Sequence, residues 1–520
     1  MTSTPNRSLW LATAADDPGA PLDRSIDVDA VVVGAGITGL LVALQLQRSG
    51  AVVAVVDRSA IGAGVTANTT AKVTALHGSA YSELTAGRGA EVAAAYGAAN
   101  LAGLAHLRAI IDELDIDCDA TTALAASYAT TDAGLETLAA ELEAARAAGL
   151  DVRFDSETEL AFPVQGAVVL DDQFHLHPRR LCLELAAALV DGHLFPHTAV
   201  HGLSTDGDRQ VVEADGGTIT ADHVVLATHA PIRDLGTITA RMEPTRSYAV
   251  SVDAGDAVPT GMYLSVDEPS RSIRPARDGD RTVLVVGGEG HPVGAPEATD
   301  ARFEALEGWA ADVLGAGAPR HRWSAHDHTT SDGVPFVGRF PGPGGRWVAT
   351  GFRKWGFTNA AAAALALGEL VADRPPPDWW APFDSTRVAP TLSRSLVGDA
   401  ARSARNLIGE RVRLKARKGP ALAELSPGEG VVVDEGDGPI AASMDDDGTV
   451  TVVSAACTHL GCVVAWNGAE RSWDCPCHAS RFDPTGAVLA GPATEALAPI
   501  APAGAAPAPA PATQATPDPS

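Results

Sequence analysis

Six cysteines occur in 520 residues, and four of them crowd into residues 457–477. Cys457-Thr-His459 is followed by fifteen residues and then by Cys475-Pro-Cys477-His478, a C-x-H-x15-C-x-x-H pattern. Each short segment supplies one Cys and then one His. Two thiolates suit a ferric iron with bridging sulfides, and two imidazoles suit a second iron. Cys457, His459, Cys475 and His478 are therefore candidate ligands of a two-iron cluster. Zinc is the alternative, since Cys2His2 also holds Zn²⁺, although zinc fingers order their ligands Cys, Cys, His, His.

A second pattern lies near the start. Gly34-Ala-Gly36-Ile37-Thr38-Gly39 is G-x-G-x-x-G between an apolar strand (29–33) and an apolar helix ending near Arg48. Gly34 allows the tight turn, Gly36 lets the backbone approach a pyrophosphate, and Gly39 lets helix and strand pack closely. The helix N-terminus offers amide N–H groups to phosphates. Asp57 closes the next strand (52–56), with Arg58 beside it, where a carboxylate can accept from ribose hydroxyls. The motif does not separate FAD from NAD. No second G-x-G-x-x-G follows a strand, so an NAD(P)H site is not expected.

Three further stretches carry a resemblance. Gly62-Ala-Gly64-Val-Thr66-Ala-Asn68-Thr-Thr70-Ala-Lys72, Val224-Val-Leu-Ala227-Thr228 and Ala349-Thr350-Gly351-Phe-Arg-Lys-Trp355-Gly356-Phe-Thr358-Asn359 resemble the D-amino-acid oxidase / glycine oxidase superfamily over about residues 27–375. The resemblance implies FAD. It implies flavin contacts at Thr66, Thr70, Gly351, Trp355, Gly356 and Thr358, and a backbone contact of Val200 on the adenine side. Cys457-Thr-His-Leu-Gly-Cys462, Cys475-Pro-Cys-His478 and Gly491-Pro492-Ala493 resemble high-potential Rieske [2Fe-2S] proteins over about 411–500. That resemblance implies a Cys462–Cys477 disulfide and a serine donor to the cluster at Ser480. It departs at Phe482, where the family carries a tyrosine donor, so a potential below that of respiratory Rieske proteins is expected.

Weaker candidates remain. Tyr248, Arg274, His291, Arg353 and Lys354 are candidate substrate contacts, with Tyr248, Arg274, His291 and Lys354 taken as catalytic. His321, His326 and His328 admit a metal reading, but alternating residues of a strand explain them better. No histidine follows His478, which argues against the mononuclear iron site of a Rieske oxygenase. No Cys or His suggests covalent flavin attachment. Cys118 and Cys182 read as buried, apolar-type cysteines.

These residues need elements to hold them. The chain is 46% apolar and 20% charged, enough for packed cores and not the composition of a disordered protein. A net charge of −27 argues against nucleic acid as a partner. No signal peptide or transmembrane segment is evident, so a cytoplasmic protein is expected. The fold class expected is α/β: a Rossmann-like FAD-binding domain with an α+β substrate domain, plus a C-terminal all-β Rieske domain. The FAD-binding domain is expected to be discontinuous (27–80, 161–234 and 326–380). The substrate domain takes 81–160 and 235–325. An N-terminal extension (1–26), a basic linker (381–410), the Rieske domain (411–500) and a disordered Ala/Pro tail (501–520) complete the chain. Residues 387–418 carry nine basic and two acidic side chains, a local +7, and 421–500 carry −10. The basic segment is expected to dock the two acidic units together.

The function expected is oxidation of an amine or amino acid by hydride transfer to flavin, with electrons leaving singly through the cluster to an external one-electron carrier. Two alternatives stand beside it. One is a reductase fed through the cluster, and the other is a redox sensor or shuttle without turnover.

Overall fold

The computed structural model describes residues 6–15, 17, 19–190, 193–234, 238–255, 258–293, 299–387, 425–434 and 438–500. Residues 388–424, which hold nearly all of the expected basic docking segment, and the tail 501–520 lie outside the described residues.

Val53–Val56, and Ile26–Val33 from Ala30 onward, are continuous runs of buried Val and Ala, the pattern of strands covered on both faces. They form the centre of the first sheet. Its order is Phe336–Arg339, Arg346–Thr350, Gly217–Leu226, Ile26–Val33, Val53–Val56 and Leu194–Phe195, parallel from Arg346–Thr350 onward. The antiparallel pair Val200–Asp206 and Arg209–Ala214 extends it beside Gly217–Leu226. The helix Ile37–Arg48 crosses between the first two strands and packs against the helix Gly356–Val371. The latter also meets Ala90–Glu113 at close range: a Cβ on Gly103 would lie 2.1 Å from the Thr358 carbonyl.

The second sheet is ordered Pro319–Thr330, Met242–Asp253, Arg281–Pro292, Arg271–Asp278, Met262–Ser265, Thr121–Ala129, Gly166–His175 and Lys72–Val73, with Arg153–Asp155 alongside Gly166–His175. Gly166–His175, within the expected flavin-unit segment 161–234, belongs to this sheet. Ala90–Glu113, within the expected substrate-unit segment 81–160, packs on Gly356–Val371 as well as on Ala80–Arg88 and Asp132–Ala147. The strand's partners lie far away in sequence, which local pattern does not encode.

The described residues ahead of the first strand pack onto the core. Ser8 caps the short helix Leu9–Thr13, which drives Trp10 into the core at 2% exposure. Its indole N–H donates to the Thr69 carbonyl at 2.7 Å.

The C-terminal unit has two small antiparallel sheets. One is Gly430–Asp434, Pro439–Met444 and Val450–Ser454. The other is Ala465–Asn467, Ser472–Asp474, Arg481–Phe482 and Val488–Ala490. Among the described residues, no helix is long and apolar enough to cross a membrane.

Candidate functional site

The cluster site sits on two loops. Cys457–His459 follows the strand Val450–Ser454, and Cys475–His478 follows Ser472–Asp474. Cys462 and Cys477 form a disulfide that ties the loops together, while Cys457 and Cys475 are free and buried. The imidazoles of His459 and His478 stand 5.0 Å apart between centroids, nearly perpendicular. Nδ1 of each is buried without a hydrogen-bond partner. An unsatisfied buried nitrogen costs free energy unless a ligand or metal meets it. Two such nitrogens beside two free thiols fit a Cys2His2 two-iron cluster. Burial lowers both histidines, His478 to about 4, so both rings are neutral and available as ligands. Cys457 shares a hydrogen bond with Cys475, which holds its thiol below the ordinary range. Cys475 also lies near Cys462 and Cys477, but those two sulfurs are committed to each other. The Ser480 side chain hydrogen-bonds with Cys457, and Ala493 N–H donates to Ser480 Oγ at 3.0 Å. Phe482 is fully buried.

A cavity of about 1070 Å³ lies between the two large sheets. One end is the glycine cradle. Gly34 has φ +114°, and a Cβ there would lie 2.5 Å from the Ala227 carbonyl. A Cβ on Gly39 would fall 1.8 Å from the Gly34 carbonyl. Gly36 has no side chain to cap the helix, and of the first amides Ile37 N–H donates to Thr66 Oγ1 at 3.2 Å, both residues lining the cavity. Asp57 accepts from Ala35 N–H and Ser59 N–H, each at 2.7 Å. The other end is the start of the helix Gly356–Val371, also without a side-chain cap. It is preceded by Arg353 and Lys354, two successive non-glycine residues with positive φ (50° and 68°). Along the wall, Thr245 Oγ1, Ser247 Oγ, Ser272 Oγ, His229 Nε2, both His328 nitrogens and Asp327 Oδ2 are buried without partners. Two uncapped helix ends and this row of unsatisfied groups fit a bound dinucleotide with a flavin ring.

The cavity brings together Gly34, Gly36, Ile37, Thr38, Asp57, Arg58, Thr66, Thr70, Val200, Trp355, Gly356, Tyr248, His291, Arg353 and Lys354. Gly39 lies behind it as the packing residue. Gly351, expected as a flavin contact, does not line the cavity: at φ +78° its missing side chain leaves room for Thr330. Thr358 does not line the cavity either: its hydroxyl donates to the Thr74 carbonyl at 3.3 Å. Arg274 is the third. Its guanidinium is 4.8 Å from the Trp10 ring and donates to the carbonyls of Thr70, Leu176 and Pro275, away from the cavity.

Tyr248 and His291 pair at 3.1 Å. His291 Nδ1 must donate to the Pro292 carbonyl (2.9 Å), so Nε2 accepts the Tyr248 proton. The sequence reading missed Asp327, lifted to about 7 by burial, and Lys72, lowered to about 7 by burial and by Arg274. Both line the cavity. Strand alternation alone was the signal for Asp327. The histidines of its strand do not converge on a metal: His321 pairs with Asp278 and His326 accepts from Arg246.

The cluster and the cavity meet at a buried seam. Arg246, on Met242–Asp253, reaches Glu470 Oε2 at 2.8 Å and Asp474 Oδ2 at 2.6 Å. Arg481 binds the same two carboxylates. Burial alone would raise Glu470 and Asp474, but the two arginines outweigh it and hold both below the usual range. His459 Nε2 donates to the Asp234 carbonyl at 3.3 Å. His478 lies beside His328, whose ring centroid is 4.6 Å from that of His229.

A family model described as FAD dependent oxidoreductase matches residues 29–370, and one described as Rieske [2Fe-2S] domain matches 420–501. The Rieske 2Fe-2S iron-sulfur protein YhfW of Bacillus subtilis (strain 168) is 31% identical over 492 residues, covering 93% of this chain and 96% of that one. Glycine oxidase from Geobacillus kaustophilus superposes with a TM-score of 0.60 at 22% identity, over 70% of this chain and 99% of its own. L-proline dehydrogenase from P.horikoshii gives 0.59 at 18% identity, over 72% and 99%. At these identities the two structures establish the fold.

Proposed function

The chain belongs to the FAD dependent oxidoreductase family and carries a C-terminal Rieske [2Fe-2S] domain, and from that premise we propose that it oxidises the C–N bond of an amine or amino acid and passes the electrons singly to an external one-electron carrier. When bound, FAD would supply a two-electron hydride acceptor at the cavity, and a cluster held by Cys457, His459, Cys475 and His478 would supply a one-electron carrier.

The observation that carries this reading is the direction of the histidine edge. His459 is capped by the Asp234 carbonyl, and His478 lies beside His328, a cavity-lining residue. On that side the cluster's neighbour is the flavin unit, not solvent. This supports the cluster as the immediate outlet for electrons from the cavity. The Tyr248–His291 pair, Lys354, Asp327 and Lys72 furnish polar groups around the remaining space. Among the described residues Lys354 has no ion-pair partner, so no carboxylate of the chain competes for it with an anionic group of the substrate. Asp327 and Lys72 are placed to hold or accept a proton from a substrate amine. The names of the fold neighbours, a glycine oxidase and an L-proline dehydrogenase, support the same substrate class.

An anaerobic panel of amino acids and secondary amines tests the proposal. Bleaching of the flavin absorbance by one compound, followed by the electron-paramagnetic signal of a reduced cluster, is the expected result. Bleaching only by a reduced one-electron donor overturns it in favour of the reverse flow.

A further inference from the structure

We propose that the Rieske domain is part of the FAD site itself: its docked face closes the cavity that the two large sheets leave open, and Arg246 is the latch. This rests on the family assignment and is independent of the amine reading.

One domain meets the cavity at both of its ends. At the dinucleotide end Arg58, next to Asp57, donates to the Val488 carbonyl at 3.4 Å. Leu489, Ala490 and Gly491 line the cavity there, with Ile232 Cγ2 only 3.6 Å from where a Gly491 side chain would begin. At the far end Ala479 and Arg481 line it beside Ser324 and His326. A ligand bound along the cradle is therefore covered by residues more than four hundred positions downstream.

What holds this wall is not apolar contact alone. Arg246 is 2% exposed, and two Rieske-domain carboxylates share its guanidinium. Ser324 Oγ donates to Glu470 at 2.9 Å, and Thr299 Oγ1 donates to Asn467 Oδ1 at 2.9 Å while accepting from Ala469 N–H. Without Arg246, Glu470 and Asp474 are left with Arg481 as their only arginine partner. Burying that excess negative charge is costly, whereas an undocked domain lets water solvate it. Undocking removes one wall and leaves the glycine cradle intact. The effect therefore falls on escape of FAD and not on its recognition.

The test uses the full-chain holoprotein without substrate or electron acceptor, reading FAD release on dilution by recovery of flavin fluorescence. Arg246→Met is expected to speed release about 100-fold, the equivalent of breaking a buried ion pair. Thr299→Val, which removes two rim hydrogen bonds, is expected to speed it about fivefold, the low end for two such bonds. The cluster's electron-paramagnetic spectrum should be unchanged in both. If Arg246→Met loses that spectrum, the domain has misfolded and Thr299→Val decides. Unchanged release in Thr299→Val, or in an Arg246→Met protein that keeps its cluster, overturns the proposal. Because no substrate is present, that outcome leaves the amine reading untouched, and a failed substrate panel leaves this one untouched.

Discussion

The cluster site and the flavin cavity are built in opposite ways. Every cluster candidate and both disulfide partners fall between Cys457 and His478, on two loops of one small sheet system. The cavity draws its wall from Val33 to Gly491, through both large sheets and the Rieske domain. The first is a local device whose geometry is fixed by a short loop pair and one covalent tie. The second exists only when long-range strand pairing, helix crossing and domain docking are all complete. A local site should fail in an all-or-none manner, while an assembled one should degrade by degrees.

Replacing a ligand sharpens that contrast most. Cys457→Ser should abolish the cluster, seen as loss of bound iron and of the electron-paramagnetic signal. A retained signal would remove Cys457 from the ligand set. Next is Gly39→Ala in the cradle, where a Cβ would lie 1.8 Å from the Gly34 carbonyl. Backbone cannot yield as a side chain can, so FAD affinity should fall about 100-fold, at the upper end of overpacking costs. The flavin-to-protein ratio measures it, with cluster content as the internal control.

Lys72 tests the cavity's electrostatics. Its amine is lowered from 10.5 to about 7 by burial and by Arg274. Between those values the unfolded chain binds a proton that the folded chain does not, so stability rises with pH across that window. Lys72→Met should therefore raise Tm by a few degrees at pH 7. The gain should shrink steadily toward pH 10.5. A pH-independent gain would mean that Lys72 is not held neutral. The smallest effect is expected at Phe482→Tyr. A restored donor stabilises the reduced, more negative cluster. Redox titration should show a rise of about 60 mV, the one-electron equivalent of one hydrogen bond to a charged group.

How much of this was legible follows from the same contrast. The Cys and His ligands and Gly34, Gly36 and Gly39 could be read because their chemistry requires fixed short spacings. The docking of the two units could not. A basic segment was expected to join them, yet the seam described is held by Arg246 and Arg481 on Glu470 and Asp474, and Arg246 stands 224 positions from Glu470. Arg274 was misread because strand position alone does not say which face meets the cavity. Its neighbour there is Trp10, from a stretch without visible periodicity. His328 was seen as a strand residue and Asp327 was passed over, and only the packed structure shows that both line the cavity with unsatisfied atoms.

The central claim is that cluster and flavin exchange electrons within one docked molecule. It is tested by reducing the flavin with a light pulse under anaerobic conditions, with EDTA as the sacrificial electron donor and no substrate, and following the cluster's absorbance and electron-paramagnetic signal across a range of protein concentrations. The account predicts first-order cluster reduction at a rate independent of concentration. A cluster that stays oxidised, or a rate that scales with protein concentration, would contradict it.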